Sequence, residues 1–238
     1  MKNDRNALKD LQHSLGTLKG NLHVLETNVS VEKQMEYFRF SEAIKNDFFD
    51  NHSLEYQMNI LNSTESSLPE IKYALTFLAI SGNVKAYRAI EAYHELNPDD
   101  WATMALMQAR ITLESEFSDE KQIFISTGLG GKGDRLRFYA FFKSQERKIF
   151  SDYQKKLIEK EIPFSIQNYH GILEEIHIRD NYFTLLFLIH IQVDIKTMLE
   201  DAINECNQYG NFINKGFIIT NVKMFSEDEI RSELMRRE

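Results

Sequence analysis

Four of the ten glycines crowd into TGLGGKGDR, at Gly128, Gly130, Gly131 and Gly133, with Lys132 and Arg135 among them. Glycine leaves its backbone N–H unhindered, and successive N–H groups beside a cation can cradle an anion. Residues 128–135 are therefore the candidate ligand-binding stretch. A Walker loop needs a glycine, four residues, then Gly-Lys-Ser/Thr and a helix, and this spacing is different. It is not a dinucleotide fingerprint either, because a strand pattern follows instead of a helix. A flexible hairpin connection explains the same glycines without any ligand.

No catalytic set accompanies them. His13, His23, His52, His94, His170, His177 and His190 show no metal-ligand spacing with carboxylates or with the single cysteine. No metal and no cofactor is expected. Cys206 falls on an apolar helical stripe and reads as a small core residue, not a nucleophile. Glu174 and Glu175 alternate to opposite faces of a strand and so make no carboxylate pair. His177 and His190 are expected to face each other across a hairpin as structural residues. The reading leans away from an enzyme.

Ahead of the glycines the pattern is helical. Leu8, Leu11, Leu15, Leu18, Leu22 and Leu25 alternate by three and four, with Val29 next in phase. This heptad seam reads either as a short dimerising coiled coil or as one amphipathic helix lying on its own domain. Gly16 and Gly20 weaken such a helix by about 1 kcal/mol each, which favours the second. Further helices are expected over 31–49, over 53–61 behind a Ser53 cap, from Pro69, over 84–96, and from Trp101 behind Asp99 or Asp100.

Residues 69–117 run helix, Gly-Asn turn, helix, Asn-Pro turn, helix. They are lined by Ala74, Ala79, Ala86, Ala89, Ala92, Ala102, Ala105 and Ala109. This resembles the helical-hairpin repeats of the HEAT and armadillo families. The resemblance implies an interaction or scaffold surface; a generic helical bundle fits the same turns.

Beyond Phe117 the period turns to strand and helix. A strand is expected at 123–126 before the glycines and another at 135–143 after them. A helix over 145–160 follows, with Ile149, Phe150, Tyr153 and Leu157 on one face and Pro163 stopping it. A strand over 164–178 bends near Gly171, a tight turn occupies 179–181, and an apolar strand fills 182–191. Asp194 caps a helix, a last strand covers 216–222, and Ser226 opens a charged helix in a capping box. The expected fold class is α+β: an all-helical N-terminal domain over 1–117, then a ferredoxin-like (βαββαβ) antiparallel-sheet domain over 121–238.

Alternation sorts the sheet residues. Leu136, Phe138, Ala140 and Phe142 are expected to pack on the helices with Phe183, Leu185, Phe187, Ile189 and Ile191, and with Ile172, Ile176 and Ile178. The opposite face carries the candidate interface residues Arg137, Tyr139, Phe141, His177, Tyr182, Leu186, Leu188 and His190, with Arg179. It is too apolar to lie bare in water. The expected covers are the N-terminal helices, a second copy, or a ligand. An RNA-binding sheet would put such aromatics to work stacking bases, but the basic-Gly-aromatic opening of that motif is missing.

The whole chain has 42% apolar and 27% charged residues and a net charge of −8. Negative charge argues against bulk nucleic-acid binding. It is unevenly spread: residues 132–160 hold 9 basic and 4 acidic side chains, a local net of +5. A single cysteine makes no internal disulfide, and no segment has the apolar length to span a bilayer. The reading that results is a cytoplasmic, non-enzymatic protein-interaction or regulatory module, paired with itself as a homo-oligomer or with another protein, and with no membrane partner. The alternatives are a small-ligand (anion or nucleotide) binder or enzyme using the 128–135 loop, and an RNA-binding sheet.

Overall fold

The computed structural model describes residues 21–26, 29–47, 53–118 and 122–236. The chain divides into two compact units, one over 19–125 and one that includes 126–238.

Among the described residues, five helices build the first unit: α1 (Val31–Asp47), α2 (Leu54–Asn62), α3 (Leu68–Ile80), α4 (Val84–Leu96) and α5 (Asp100–Glu116). Their starts follow local chemistry. Ser53 Oγ accepts from Glu55 N, Asn83 Oδ1 from Lys85 N and Asp99 Oδ1 from Ala102 N, each satisfying a donor that the first turn leaves unpaired. Leu75, Leu78, Ile90 and Met104 fill the core around Tyr37 and Trp101. Three of the polar side chains taken inside pair with one another: Tyr37 Oη donates to Gln108 Oε1 at 2.6 Å, and Gln108 Nε2 donates to Ser41 Oγ at 2.8 Å.

Two expectations change here. Residues Asn21–Val24 form a strand, β1, which pairs in parallel with β2 (Gln122–Ile125). The heptad helix therefore does not extend through Leu22 and Leu25; its earlier part lies outside the described residues. β2 in turn belongs with β1 and is not a strand of the antiparallel sheet. The physical reason is composition: both segments carry β-branched or aromatic residues that suit a pleat, and His23 stacks on Phe124 with ring centroids 4.8 Å apart.

The second unit is α+β, as expected. Its elements are β3 (Gly131–Lys132), β4 (Arg135–Ser144), α6 (Asp152–Asn168), β5 (Ile172–Ile178), β6 (Tyr182–His190), α7 (Ile195–Asn207), β7 (Ile213–Thr220) and α8 (Glu227–Met235). From β4 to β7 the order is βαββαβ, and the strands lie β5-β6-β4-β7 with every neighbour antiparallel. The central pair, β4 and β6, matches Phe142 with Phe183, Ala140 with Leu185, Phe138 with Phe187 and Leu136 with Ile189. These side chains are buried, as are Ile158, Ile162 and Ile166 of α6 and Met198, Leu199 and Ala202 of α7. The Phe142 and Phe183 rings stack at 4.5 Å. Cys206 ends the α7 stripe fully buried, and burial pushes its thiol up to about 12.

The helix expected over 145–160 begins and ends later. Residues Gln145–Arg147 form a single 3-10 turn, Ser151 and Gln154 make a capping box, and α6 runs through Pro163 to Asn168. Proline removes one internal hydrogen bond, but Ile162, Ser165 and Ile166 on either side of it bury against the unit. The shift turns Ile149 and Tyr153 out to solvent. β5 is shortened to match and carries a bulge between Leu173 and Glu175. The bulge adds one residue, so Leu173 pairs with Phe187 while Ile172 pairs with Leu188 on the other face. Ile172 is thereby separated from Ile176 and Ile178.

The apolar sheet face is covered by the C-terminal helix, not by the N-terminal helices, a second copy or a ligand. Phe225, Ile230 and Leu234, on or just before α8, pack on Leu129, Tyr139, Phe141, Tyr182, Leu186 and Ile218. The Phe225 ring lies 5.4 Å from that of Tyr139 and 6.1 Å from that of Phe141. Arg147 Nη2 donates to the carbonyls of Met235 and Arg236 at 3.3 and 3.2 Å, placing a cation at the negative end of the helix dipole.

Candidate functional site

The glycine stretch begins as a tight fold-back. Gly130 N donates to Thr127 O at 3.1 Å and Leu129 N donates to Asn221 O at 3.0 Å. Gly128 lies against the backbone of Val222, so close that a Cβ would stand 1.8 Å from the Val222 carbonyl oxygen. Gly133, at φ +60°, takes the first position of a two-residue turn that favours glycine there. The turn joins β3 to β4, pairing Lys132 with Arg135 and Gly131 with Leu136. The loop is thus a built hairpin. Two of the N–H groups that an anion would need are committed to carbonyls.

Arg137 secures it. Its backbone N donates to Gly130 O, and its Nη1 donates to Leu129 O at 2.8 Å. The rest of the guanidinium makes a two-point pair with Glu174, the residue pushed out by the β5 bulge; Nη2 to Oε1 is 2.8 Å. Hydrogen bonding from Arg137, with the positive charge of Arg137 and Lys132, holds the Glu174 carboxyl below its ordinary value of 4.5. A carboxyl with a lowered folded-state pKa adds stability above its unfolded-state pKa, and that share is lost as pH falls through the folded-state value. In acid unfolding followed by circular dichroism, Glu174→Gln is expected to be less stable than wild type at pH 7. The gap should close as pH falls below the carboxylate range. A gap that is unchanged at low pH would contradict this role.

The register then aligns a row of polar side chains across β3, β4 and β6. Lys132 pairs with Arg135, and Arg135 pairs with His190. All three lie at the end of the sheet that bears the hairpin. Lys132 is exposed, and Arg135 and His190 are each 34% accessible at the side chain. Asp134 sits between them, 3.5 Å from both Arg135 Nη1 and His190 Nε2. Arg135 Nε donates to the carbonyl of His170 at 3.3 Å, in the turn between α6 and β5. Gln192 N donates to His190 Nδ1, so both ring nitrogens of His190 have partners. Among the described residues no three of His, Cys, Asp and Glu are placed to share a metal ion. No helix there is long and apolar enough to cross a membrane.

The structure therefore divides the candidate residues. Gly128, Gly130 and Gly131 shape the hairpin, Gly133 turns it, and Lys132 and Arg135 present charge. Tyr139, Phe141 and Leu188 are buried, and Tyr182 and Leu186 pack under α8. Arg137 is a clamp. His177 does not face His190: the tight turn pairs Ile178 with Phe183 and His177 with Thr184, and His177 pairs with Glu175 on the exposed edge. Asp134 and His170 join the site without having been singled out. Counting pairs outward from the Gly133-Asp134 turn would have set Lys132 opposite Arg135.

No family model and no curated protein matches the chain. Among solved structures, it is similar to a protein assigned as a transposase from Deinococcus radiodurans R1, at 13% identity and a TM-score of 0.34, over 42% of this chain and 85% of that one. It is also similar to a REP-associated tyrosine transposase bound to a REP hairpin, at 7% identity and a TM-score of 0.32, over 41% of this chain and 61% of that one. The expectation of a non-enzymatic protein-interaction or regulatory module is corrected on physical grounds: α8 covers the apolar sheet face that was to meet a partner.

Proposed function

We propose that the α+β unit binds the phosphodiester backbone of a nucleic acid at the hairpin end of its sheet. One observation carries this: Lys132, Arg135 and His190 form an accessible row across three strands, beyond the part of the face that α8 covers. Neighbouring strands are about 4.8 Å apart, so the row is about 10 Å long. That length suits a chain of phosphates better than one small anion. The committed N–H groups of Leu129 and Gly130 point the same way, since an enclosed phosphate cradle would need them. The chain's net charge of −8 is then a background against which a local basic end acts.

The test is fluorescence anisotropy with a labelled single-stranded oligonucleotide at low salt. Wild type is expected to bind, and a Lys132→Ala, Arg135→Ala double variant to bind at least about 10-fold more weakly, since each ionic contact contributes through counterion release. Equal binding by the two proteins would overturn the placement. No binding by wild type would overturn the function.

A further inference from the structure

We infer that the groove between α2 and α3, in the first unit, binds a primary alkylammonium group. This site is separate from the one just proposed and does not rest on it. The groove has a volume of about 370 Å³, within the range of small-ligand sites. Tyr56, Gln57, Ile60, Pro69, Glu70 and Tyr73 line it. Gln57 is the residue that calls for a ligand. It is 2% exposed, and its Oε1 is buried with no hydrogen-bond partner among the described residues. Leaving a buried acceptor unpaired is costly, and folded proteins rarely do it. A leucine would fill the same space without that cost, as Leu61 does one turn further along α2. Gln57 lines the groove yet is almost wholly covered, so its amide forms the floor. The terminal torsion of a glutamine is soft, and a turn about it brings Oε1 to a donor in the groove.

The rest of the lining says which donor. Glu70 is fixed by the cap of α3: Ser67 N and Ser67 Oγ both donate to its Oε2, at 2.8 and 2.6 Å. That leaves Glu70 Oε1 for a ligand. The same bonds hold the Glu70 carboxyl below its ordinary value of 4.5, so it is charged at neutral pH. Tyr56 and Tyr73 bring aromatic rings to the groove, and ring faces attract cations. The surrounding charge agrees. From Ser53 to Ile71 the chain carries Glu55, Glu65 and Glu70 and no lysine or arginine. The next base, Lys72, is engaged elsewhere: its Nζ lies 3.6 Å from Glu36 of α1 and 4.1 Å from the centre of the Trp101 ring. These surroundings repel an anion and favour a cation. An ammonium has three N–H donors and no acceptor. It meets Gln57 Oε1 with one and Glu70 Oε1 with another, while its alkyl chain lies on Ile60, Pro69 and the tyrosine rings. A quaternary ammonium is drawn by the same charge and rings but has nothing to donate to Gln57.

The experiment is calorimetric titration, without nucleic acid, of wild type, Gln57→Leu and Glu70→Gln. The ligands are putrescine, a capped peptide with one central lysine, and tetramethylammonium as the cation without a donor. Gln57→Leu removes the unpaired amide and is expected to unfold at or above the wild-type temperature. Glu70→Gln keeps an acceptor for Ser67 and is expected to unfold close to it. Wild type is expected to bind a primary amine at least about 10-fold more tightly than tetramethylammonium, and each variant to lose at least about 10-fold toward that amine, the effect of one hydrogen bond to a charged donor. Binding of putrescine alone would assign the site to a free amine, and binding of the peptide alone to a lysine of a partner protein; either supports it. Equal affinity for tetramethylammonium, or a Gln57→Leu protein that binds like wild type, would overturn the inference. So would wild type that binds neither amine. Each of these failures leaves the hairpin site standing, because Lys132, Arg135 and His190 belong to the other unit.

Discussion

Phe141→Asp is expected to unfold the α+β unit. Phe141 is 1% exposed, paired with Thr184 on β6 and Ile218 on β7. Its ring lies 5.7 Å from Tyr182 and 6.1 Å from Phe225. Removing a buried phenylalanine side chain costs about 3–5 kcal/mol by cavity formation alone. The aspartate adds a carboxylate with no cation in register with it, and burying an unpaired charge costs several kcal/mol more. Together these match the whole stability of an ordinary domain, about 5–15 kcal/mol. Circular dichroism and urea unfolding give the readout, with loss of the cooperative transition expected. A folded variant of wild-type stability would mean that α8 does not cover the sheet. Had the face been an oligomer surface, the same change would dissociate subunits and leave each one folded.

Gly128→Ala is expected to destabilise the same unit by about 3 kcal/mol, the upper part of the usual range for overpacking. The added methyl would meet the carbonyl oxygen and then the carbonyl carbon of Val222 at 1.8 and 2.7 Å. Both are backbone atoms, so no rotamer change relieves the clash. Either the loop or the segment after β7 has to move, and Leu129 N loses its bond to Asn221 O as it does so. Gly133→Ala is a fair control: its Cβ would meet nothing within 4 Å, so only the strain of φ +60° remains. A Gly128→Ala protein as stable as wild type in urea would show that the close approach to Val222 is not kept in solution.

Much of this architecture can be read from the sequence because it rests on local chemistry. Ser53, Asp99, Asp194 and Ser226 stand where caps are needed, and each caps its helix. The apolar alternation of residues 136–142 and 183–191 places β4 and β6 at the sheet centre, where they pair. Three features are not legible in this way, each for a physical reason. Pro163 reads as a helix stop because it lacks an N–H, yet burial of Ile162 and Ile166 carries α6 past it. The β5 bulge at Glu174 reverses the alternation of every residue before it, and nothing in ILEEIHI marks which residue is the extra one. The role of α8 depends on Phe225, Ile230 and Leu234, three apolar residues in a charged segment, meeting a sheet face far away in sequence. At the site, the charges of Lys132 and Arg135 are evident in the sequence. Their alignment with His190 is a matter of register, which comes only with the paired strands.

The salt dependence of single-strand binding tests the central claim most directly. Anisotropy titrations of wild type and of the Lys132→Ala, Arg135→Ala variant would be run from about 50 to 200 mM salt. For two phosphate contacts the slope of log K against log salt differs by about 1.4 between the two proteins, so wild-type affinity falls about 7-fold more steeply over that range. A steeper slope for wild type by about that amount is the expected result. Parallel slopes, or wild-type binding that does not respond to salt, would contradict it.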